Sequence, residues 1–149
     1  MIRSLGKMAA MAVVALAMCF PALADNAPAT APTSKVVYHI NEGLEKAADL
    51  LRNVKNHLNA DPGAKIVVVG HGKGIDFMLD GAKDKNGNPF DAIIDTLEAR
   101  GVEFRVCNNT LVSRKIDPKK VVPGPKIVPS GVAEIARLQA QEHYVYVKP

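Results

Sequence analysis

The sequence predicts a three-layer α/β protein in which a mainly parallel five-stranded sheet lies between helices. Five short runs rich in β-branched and aromatic residues alternate with segments whose apolar residues recur at helical spacing. One run, KIVVVG at 65–70, is almost entirely apolar, which is typical of a strand covered on both faces. Because strands that alternate with helices pair in parallel, helices are expected on both sides of the sheet.

The first predicted elements run strand, helix, strand, helix. KVVYHIN at 35–41 is predicted to be a strand, and apolar spacing over 43–58 predicts a helix. An Asp-Pro-Gly sequence at 61–63 ends that helix, and the strand at 65–70 follows. Helical spacing recurs over 75–82, which predicts a short helix there.

A turn and a third helix come next. The polar sequence DKNGN at 84–88 predicts a turn, with Asn88 as the N-cap of a helix and Pro89 at its first position. Gly101 is expected to end this helix. The remaining elements are predicted as a strand at 102–107, a helix at 110–116, a loop at 117–125, a strand at 126–129, a helix at 131–141 and a strand at 143–148.

The N-terminal region has the pattern of a secretory signal peptide. Arg3 and Lys7 precede an uncharged apolar stretch at 8–24, which closes on Ala22-Leu23-Ala24. We expect cleavage after Ala24 and export to a periplasm, so that no membrane segment remains; an uncleaved anchor is the alternative. The domain organisation is then a signal peptide at 1–24, a Pro- and Ala-rich linker at 25–34 and one α/β domain at 35–149.

Charge and composition exclude several classes of protein. Without residues 1–24 the chain has 17 basic and 15 acidic residues, a net charge of +2, which gives no reason to expect nucleic-acid binding. Neither zinc-ligand spacing among the histidines nor a G-x-S-x-G element is present, so no metal, no cofactor and no nucleophile-elbow hydrolase is predicted. Cleavage also removes Cys19 and leaves Cys107 as the lone thiol.

Four segments are candidates for a functional site because of their positions. In a parallel sheet the carboxyl ends of all strands lie on one edge, where ligands bind in open α/β folds. The segments that follow the predicted strands, and therefore lie at this edge, are Asn41-Glu42, Gly70-His71-Gly72-Lys73, Cys107-Asn108-Asn109 and Pro129-Ser130-Gly131.

Cys107 is the strongest single candidate. It ends a predicted strand and precedes a helix that Asn108, Asn109 or Thr110 is able to cap. Unpaired N–H groups and the positive end of a helix favour the thiolate, the nucleophilic form of cysteine. The alternative is a buried structural cysteine, since free cysteines are among the most buried residues.

The glycine-rich sequence at 70–74, GHGKG, is the second candidate. It lacks the third glycine of the dinucleotide fingerprint, because Ile75 stands there, and it lacks the P-loop pattern. His71 is able to orient or protonate a ligand, or to act as a base for Cys107. The alternative interpretation is a tight structural turn.

Two segments resemble a known family. GVEFRVCNNTL at 101–111 and IVPSGVAEIARLQAQEHYVYVKP at 127–149 are similar to the DsrE/DsrF-like sulfur-relay family, and the similarity extends over 35–149. The resemblance implies a five-stranded parallel α/β/α fold and a small homo-oligomer, a trimer or hexamer. It also implies a protein that accepts sulfane sulfur as a cysteine persulfide and passes it on, with Cys107 at the position of the persulfide cysteine.

Two functions follow as hypotheses. The first is an exported sulfur carrier or sulfurtransferase-like protein, in which Cys107 holds the persulfide and His71, Asn108 and Asn109 support it. Its partners would be a sulfane-sulfur donor or acceptor protein, and whether it turns over as an enzyme stays open. The known relays act in the cytoplasm, and the export signal departs from them. The second hypothesis is a non-catalytic oligomeric module that binds a small ligand and in which Cys107 is structural.

Overall fold

Five strands form one parallel sheet in residues 33–149, the part of the chain that the structure, a computed structural model, describes. The order across the sheet is β4-β3-β2-β1-β5, and each neighbouring pair is parallel. The predicted signal peptide and all but the last two residues of the predicted linker lie outside the described residues. The strands are β1 (Lys35–Ile40), β2 (Lys65–Gly70), β3 (Glu103–Cys107), β4 (Lys126–Val128) and β5 (Val145–Val147).

Helices connect these strands and cover both faces of the sheet. The predicted three-layer α/β/α fold with five strands is therefore confirmed, and the sheet is parallel throughout. The α-helices are α1 (Leu44–Ala60), α2 (Phe90–Glu98), α3 (Asn108–Ser113) and α4 (Gly131–Glu142), and 3₁₀ segments lie at Gly72–Met78 and Pro118–Lys120.

The hydrophobic core is divided unequally between the two faces. On one face α1, α2 and the 3₁₀ segment at Gly72–Met78 pack on the sheet, and residues such as Phe77, Phe90 and Phe104 are fully buried there. On the other face α4 packs over a smaller cluster. Every residue of β2 after Lys65 is buried, as its apolar sequence predicts. The smaller cluster consists of Val37, Val67, Val69, Ile135 and Leu138.

The prediction of a helix over 75–82 is wrong. A 3₁₀ segment begins earlier, at Gly72, and ends at Met78, after which Leu79 is extended. The Met78 carbonyl accepts from the Val122 N–H at 3.0 Å, and the Asp80 N–H donates to the Lys120 carbonyl at 2.7 Å. These bonds to the 120–122 segment occupy backbone groups that a longer helix would need.

The predicted cap of α2 is also wrong. Pro89 itself is the N-cap, and the helix begins at Phe90. The Asn88 side chain instead donates to the Asp84 carboxylate at 3.0 Å, and the Asn88 N–H does so at 2.9 Å. The Asn88 side chain therefore closes the 84–88 turn, and no side chain caps α2. Gly101 ends the helical region as predicted, with a φ of +87°.

Helix α3 and the last strand have bounds that differ from the prediction, whereas α4 begins at Gly131 as predicted and ends at Glu142 rather than at 141. Helix α3 begins at Asn108, not at 110, and its N-cap is Cys107 rather than one of the polar residues that follow. Helix α4 begins after Ser130, whose hydroxyl accepts from the Ala133 N–H at 3.3 Å. His143, in the left-handed conformation, ends α4, so β5 is shorter than the predicted 143–148.

Candidate functional site

Three of the four predicted segments touch one another at the carboxyl edge of the sheet. A Cβ on Gly131 would lie 3.2 Å from the Cys107 Cβ and 3.3 Å from the His71 Cβ. The Asn109 N–H donates to the Pro129 carbonyl at 3.2 Å, which joins the segments after β3 and β4. The parallel topology thus brings residues from three strand ends to one place, as the sequence predicts.

The glycine-rich sequence after β2 packs closely against the end of β1. A Cβ on Gly74 would lie 2.1 Å from the Ile40 carbonyl oxygen, and one on Gly70 would lie 2.5 Å from the Gly74 oxygen. Side chains at these positions would overlap backbone atoms. The glycines of GHGKG therefore allow a tight turn that carries His71 to the edge, and this supports the structural interpretation of the glycines themselves.

Cys107 lies between β3 and α3, with its side chain beneath the first turn of α4. The residue is 4% exposed, so most of the thiol is enclosed by the segments around it. Glu103, Arg105 and Cys107 alternate along β3 and share one face, and Arg105 makes an ion pair with Glu134 of α4. That ion pair ties β3 to α4 on the same side of the sheet as the thiol.

Burial and hydrogen bonding act in opposite directions on the pKa of Cys107. Burial raises the pKa of the thiol, but hydrogen bonds from the Gly131 N–H, from the hydroxyl and N–H of Thr110, and from the Asn109 N–H lower it by more. The net result is a pKa below that of an ordinary cysteine. The first turn of α4, a helix of 12 residues, contributes the Gly131 N–H at its positive end. The arrangement therefore favours an anionic sulfur.

Thr110 links the cysteine to the glycine-rich turn. It is buried, and its hydroxyl oxygen accepts from the Gly72 N–H at 2.9 Å. The same hydroxyl is one of the groups that lower the pKa of Cys107. Arg114, one turn further along, donates to the Gly72 carbonyl at 2.9 Å. The sequence analysis considered Thr110 only as a possible helix cap, whereas in the structure its hydroxyl joins α3 to the turn after β2 and lowers the pKa of Cys107.

The two asparagines after the cysteine play smaller parts. Asn109 contributes its backbone N–H near the sulfur, and its side chain is exposed. Asn108 is half-buried at the first position of α3. Both residues lie beside Cys107, and of the two the structure involves the backbone of Asn109 in the environment of the sulfur.

His71 lies in a chain of hydrogen-bonding side chains that the sequence analysis did not foresee. Its Nε2 is 2.8 Å from the Nε2 of His39, and the Nδ1 of His39 is 2.7 Å from the hydroxyl of Tyr146. Both histidines are half-buried. His39 alternates with Val37 on β1 and therefore faces α4. Its position in the predicted strand was the one feature of the sequence that could have indicated its place in the site.

Charges near the two histidines oppose each other. Lys148 pairs with Glu42 at 2.7 Å and donates to the Asn41 side chain at 2.5 Å. Burial is the main cause that lowers the pKa of His39 and of His71, and Lys148 lowers both further. The neighbouring His71 also lowers the pKa of His39, and Glu42 acts on both histidines in the opposite direction. The lowered pKa values favour neutral imidazoles near neutral pH.

Within residues 33–149 no group of three or more His, Cys, Asp or Glu side chains is arranged to hold a metal ion. Nor does any helix in that range have the length and apolar character needed to cross a bilayer. A groove of about 700 Å³ lies between α1 and the 83–86 loop, and none of the predicted site residues lines it.

The fold and the site together define a parallel α/β protein with a cysteine at the carboxyl edge of its sheet. The family model of the DsrE/DsrF-like family matches residues 11–149. The chain therefore belongs to the DsrE/DsrF-like family, and the resemblance stated from the sequence is confirmed.

Solved structures share this fold. A protein of unknown function from Methanobacterium thermoautotrophicum, MTH1491, is 29% identical, with a TM-score of 0.68 over 78% of this chain and 99% of its own. The ychN protein from E. coli is 17% identical, with a TM-score of 0.67 over 78% of this chain and 100% of its own, and shows the fold alone. No curated protein matches the chain.

Proposed function

We propose that this protein is a sulfur carrier or sulfurtransferase-like protein that holds sulfane sulfur as a persulfide on Cys107. Membership of a family of the sulfur-relay type supports the general class. The observation that carries the specific proposal is the set of N–H and hydroxyl donors around the Cys107 sulfur, which lowers the pKa of the thiol despite its burial.

The same hydrogen-bond donors are able to stabilise both the thiolate and the persulfide of Cys107. A Cys107 thiolate attacks the outer sulfur of a donor persulfide, the donor S–S bond breaks, and the electron pair leaves with the donor thiolate. The new bond joins that sulfur to Cys107 Sγ. Because the terminal sulfur of a persulfide carries negative charge when it ionises, preorganised N–H donors stabilise it as they stabilise the thiolate.

The second candidate is a non-catalytic module that binds a small ligand at the strand-end edge. Its specific support is the 4% exposure of Cys107, which is also typical of a structural cysteine. In that account the donors around the sulfur serve packing and helix capping, and the ligand contacts His71 and its neighbours instead.

Export and assembly are part of the same proposal. We infer from the sequence pattern at 1–24 that the protein acts in a periplasm, and from the family resemblance that it is a trimer or hexamer that exchanges sulfur with an unidentified partner protein. N-terminal sequencing of the exported protein and light scattering measure these two properties. A monomer at micromolar concentration, or retention in the membrane, would contradict them.

Intact-mass measurement tests the proposed function. In a Cys19→Ser chain Cys107 is the only cysteine, so any sulfur bound to a thiol is on that residue. After incubation with glutathione hydropersulfide or thiosulfate, we expect a mass gain of one sulfur atom that dithiothreitol removes. Cys107→Ser is the control, and it should gain nothing. A folded protein that gains no sulfur from either donor supports the binding module instead.

A further inference from the structure

The proposed function leaves unexplained a connected group of side chains beside the cysteine. His71, His39 and Tyr146 come from the turn after β2, from β1 and from β5, and they form a continuous chain of short contacts of 2.8 Å and 2.7 Å. Three elements distant in the sequence converge here, although each ring would be solvated at little cost at the edge of a sheet. This convergence points to a role.

The possible hydrogens in this chain are few. Between the two Nε2 atoms one histidine must donate and the other accept, because a neutral imidazole has one donor and one acceptor nitrogen. If the His71 Nε2–H donates to His39, then the His39 Nδ1–H donates to the Tyr146 oxygen. In that arrangement the Nδ1 of His71 carries a free lone pair. Tyr146, with a hydroxyl that accepts as well as donates, completes the arrangement.

The free nitrogen belongs to a neighbour of Cys107, because Gly70 of β2 pairs with Val106 of β3 and the next residues along the two strands are His71 and Cys107. The Cβ atoms of His71 and Cys107 both lie within 3.3 Å of the position that a Gly131 Cβ would occupy. The glycine thus leaves the space between the two side chains open. Because the contact with His39 occupies Nε2, Nδ1 is the ring nitrogen of His71 that is left to meet the thiol.

We propose that His71 is the proton acceptor for the Cys107 thiol and that His39 and Tyr146 are positioning residues that fix the tautomer of His71. This inference rests on the proposed function, because it assigns roles in the same sulfur transfer. The arrangement resembles a catalytic triad in its logic, with a base oriented by a third group. In this protein the imidazole of His39 orients the base, a role that a carboxylate or an amide often has in such triads.

The step balances in atoms and electrons. His71 Nδ1 takes the proton from Cys107 Sγ as the sulfur attacks the donor hydropersulfide. The Sγ–S bond forms, the donor S–S bond breaks, and its electron pair leaves on the donor thiolate. The proton on His71 then passes to that thiolate, which departs as a thiol. Nothing is oxidised or reduced overall, and no further reactant is needed.

The groups around His39 and His71 favour a neutral His71 that is able to accept a proton. The groups that face the histidines are Cys107 at the end of β3, Tyr146 on β5, and the ion pair of Lys148 with Glu42. Burial and Lys148 lower the pKa of His71, with Glu42 opposing, so the ring is able to accept a proton near neutral pH. Below the pKa of His71 the ring is protonated and the step slows.

Substitutions at His39 test the inference. We measure the single-turnover rate of sulfur uptake from glutathione hydropersulfide against pH in the Cys19→Ser chain. His39→Leu should slow uptake about tenfold, because it removes the partner that orients the imidazole and with it part of the roughly 10²–10⁴-fold that a positioned proton acceptor contributes. The inflection at low pH should also shift. His39→Gln retains an acceptor for the His71 Nε2–H and should recover most of the rate. Alkylation by iodoacetamide at high pH needs no proton transfer, so its rate should stay unchanged.

His57→Leu is the matched control. His57 on α1 also pairs with a tyrosine, because its Nδ1 lies 3.0 Å from the Tyr38 hydroxyl, and the pair is remote from Cys107. The inference is overturned if His39→Leu and His57→Leu take up sulfur at the wild-type rate with the wild-type pH profile. If His39→Leu does not fold, Tyr146→Phe replaces it, with Tyr144→Phe as its control. Absence of uptake in the unsubstituted protein overturns the proposed function itself.

Discussion

Replacing Gly74 with alanine is expected to destabilise the protein by about 3 kcal/mol or more, at the upper end of the usual cost of overpacking. A Cβ at this position would lie 2.1 Å from the Ile40 oxygen and 2.8 Å from the Asn41 nitrogen. Both are backbone atoms of the chain leaving β1, so no flexible side chain is able to move aside. The 3₁₀ segment must shift, and the adjacent His71 must shift with it. Urea unfolding followed by circular dichroism measures the loss.

Gly63→Ala is the control for this substitution. Gly63 also lies in a turn beside a core strand, in this case the turn before β2. The nearest atom to a Cβ added at Gly63 would be 3.7 Å away. Its substitution should change the free energy of unfolding by less than about 0.5 kcal/mol. Equal stability of Gly74→Ala and Gly63→Ala would show that the turn does not press on the end of β1 as described.

Replacing Thr110 with valine is expected to lower the alkylation rate of Cys107 at neutral pH by about tenfold. A hydrogen bond to a charged group is worth about 1.5–3 kcal/mol, and each 1.36 kcal/mol is tenfold in the thiolate population. Valine keeps the shape but removes the hydroxyl that helps to lower the pKa of Cys107. It also leaves the Gly72 N–H without its acceptor, which should cost about 1–3 kcal/mol of stability. Iodoacetamide kinetics and urea unfolding measure the two effects.

Two variants separate this effect from general disturbance. Thr110→Ser keeps the hydroxyl and should retain most of the reactivity. Thr96→Val removes a hydroxyl on α2 that bonds only to the Ala92 carbonyl, so Cys107 should react at the wild-type rate. A Thr110→Val protein that alkylates as fast as Thr96→Val would mean that the Thr110 hydroxyl does not act on the sulfur.

The sequence was sufficient for the architecture because periodicity and topology are regular. Alternating strands and helices predict the parallel sheet, and a parallel sheet places Cys107, His71 and Gly131 on one edge. The errors occur where hydrogen bonds to residues outside the predicted helix compete with helical spacing. Met78 and Asp80 pair with the 120–122 segment, and Asp84 binds Asn88, and neither competition is visible from a window of apolar residues.

The parts of the site that the sequence missed are long-range pairings. His39 and Tyr146 are 107 positions apart and meet only because β5 pairs with β1 at the sheet edge. The alternation of each strand predicts that these side chains face α4, yet it does not indicate that they meet. Thr110 was considered as a cap on local grounds, and its contact with the turn after β2 spans 38 positions. Such contacts follow from the fold, not from spacing.

The titration of the Cys107 thiol tests the central claim most directly. Ultraviolet absorbance of the thiolate is followed against pH in the Cys19→Ser chain, and the same curve for a Cys19→Ser, Cys107→Ser chain is subtracted to remove tyrosine ionisation. Because hydrogen bonds at the sulfur outweigh burial, the account predicts a midpoint below the roughly 8.5 of an ordinary cysteine. A midpoint at or above that value in the folded protein would show that burial dominates, that Cys107 is a packing residue, and that the sulfur-carrier proposal is wrong.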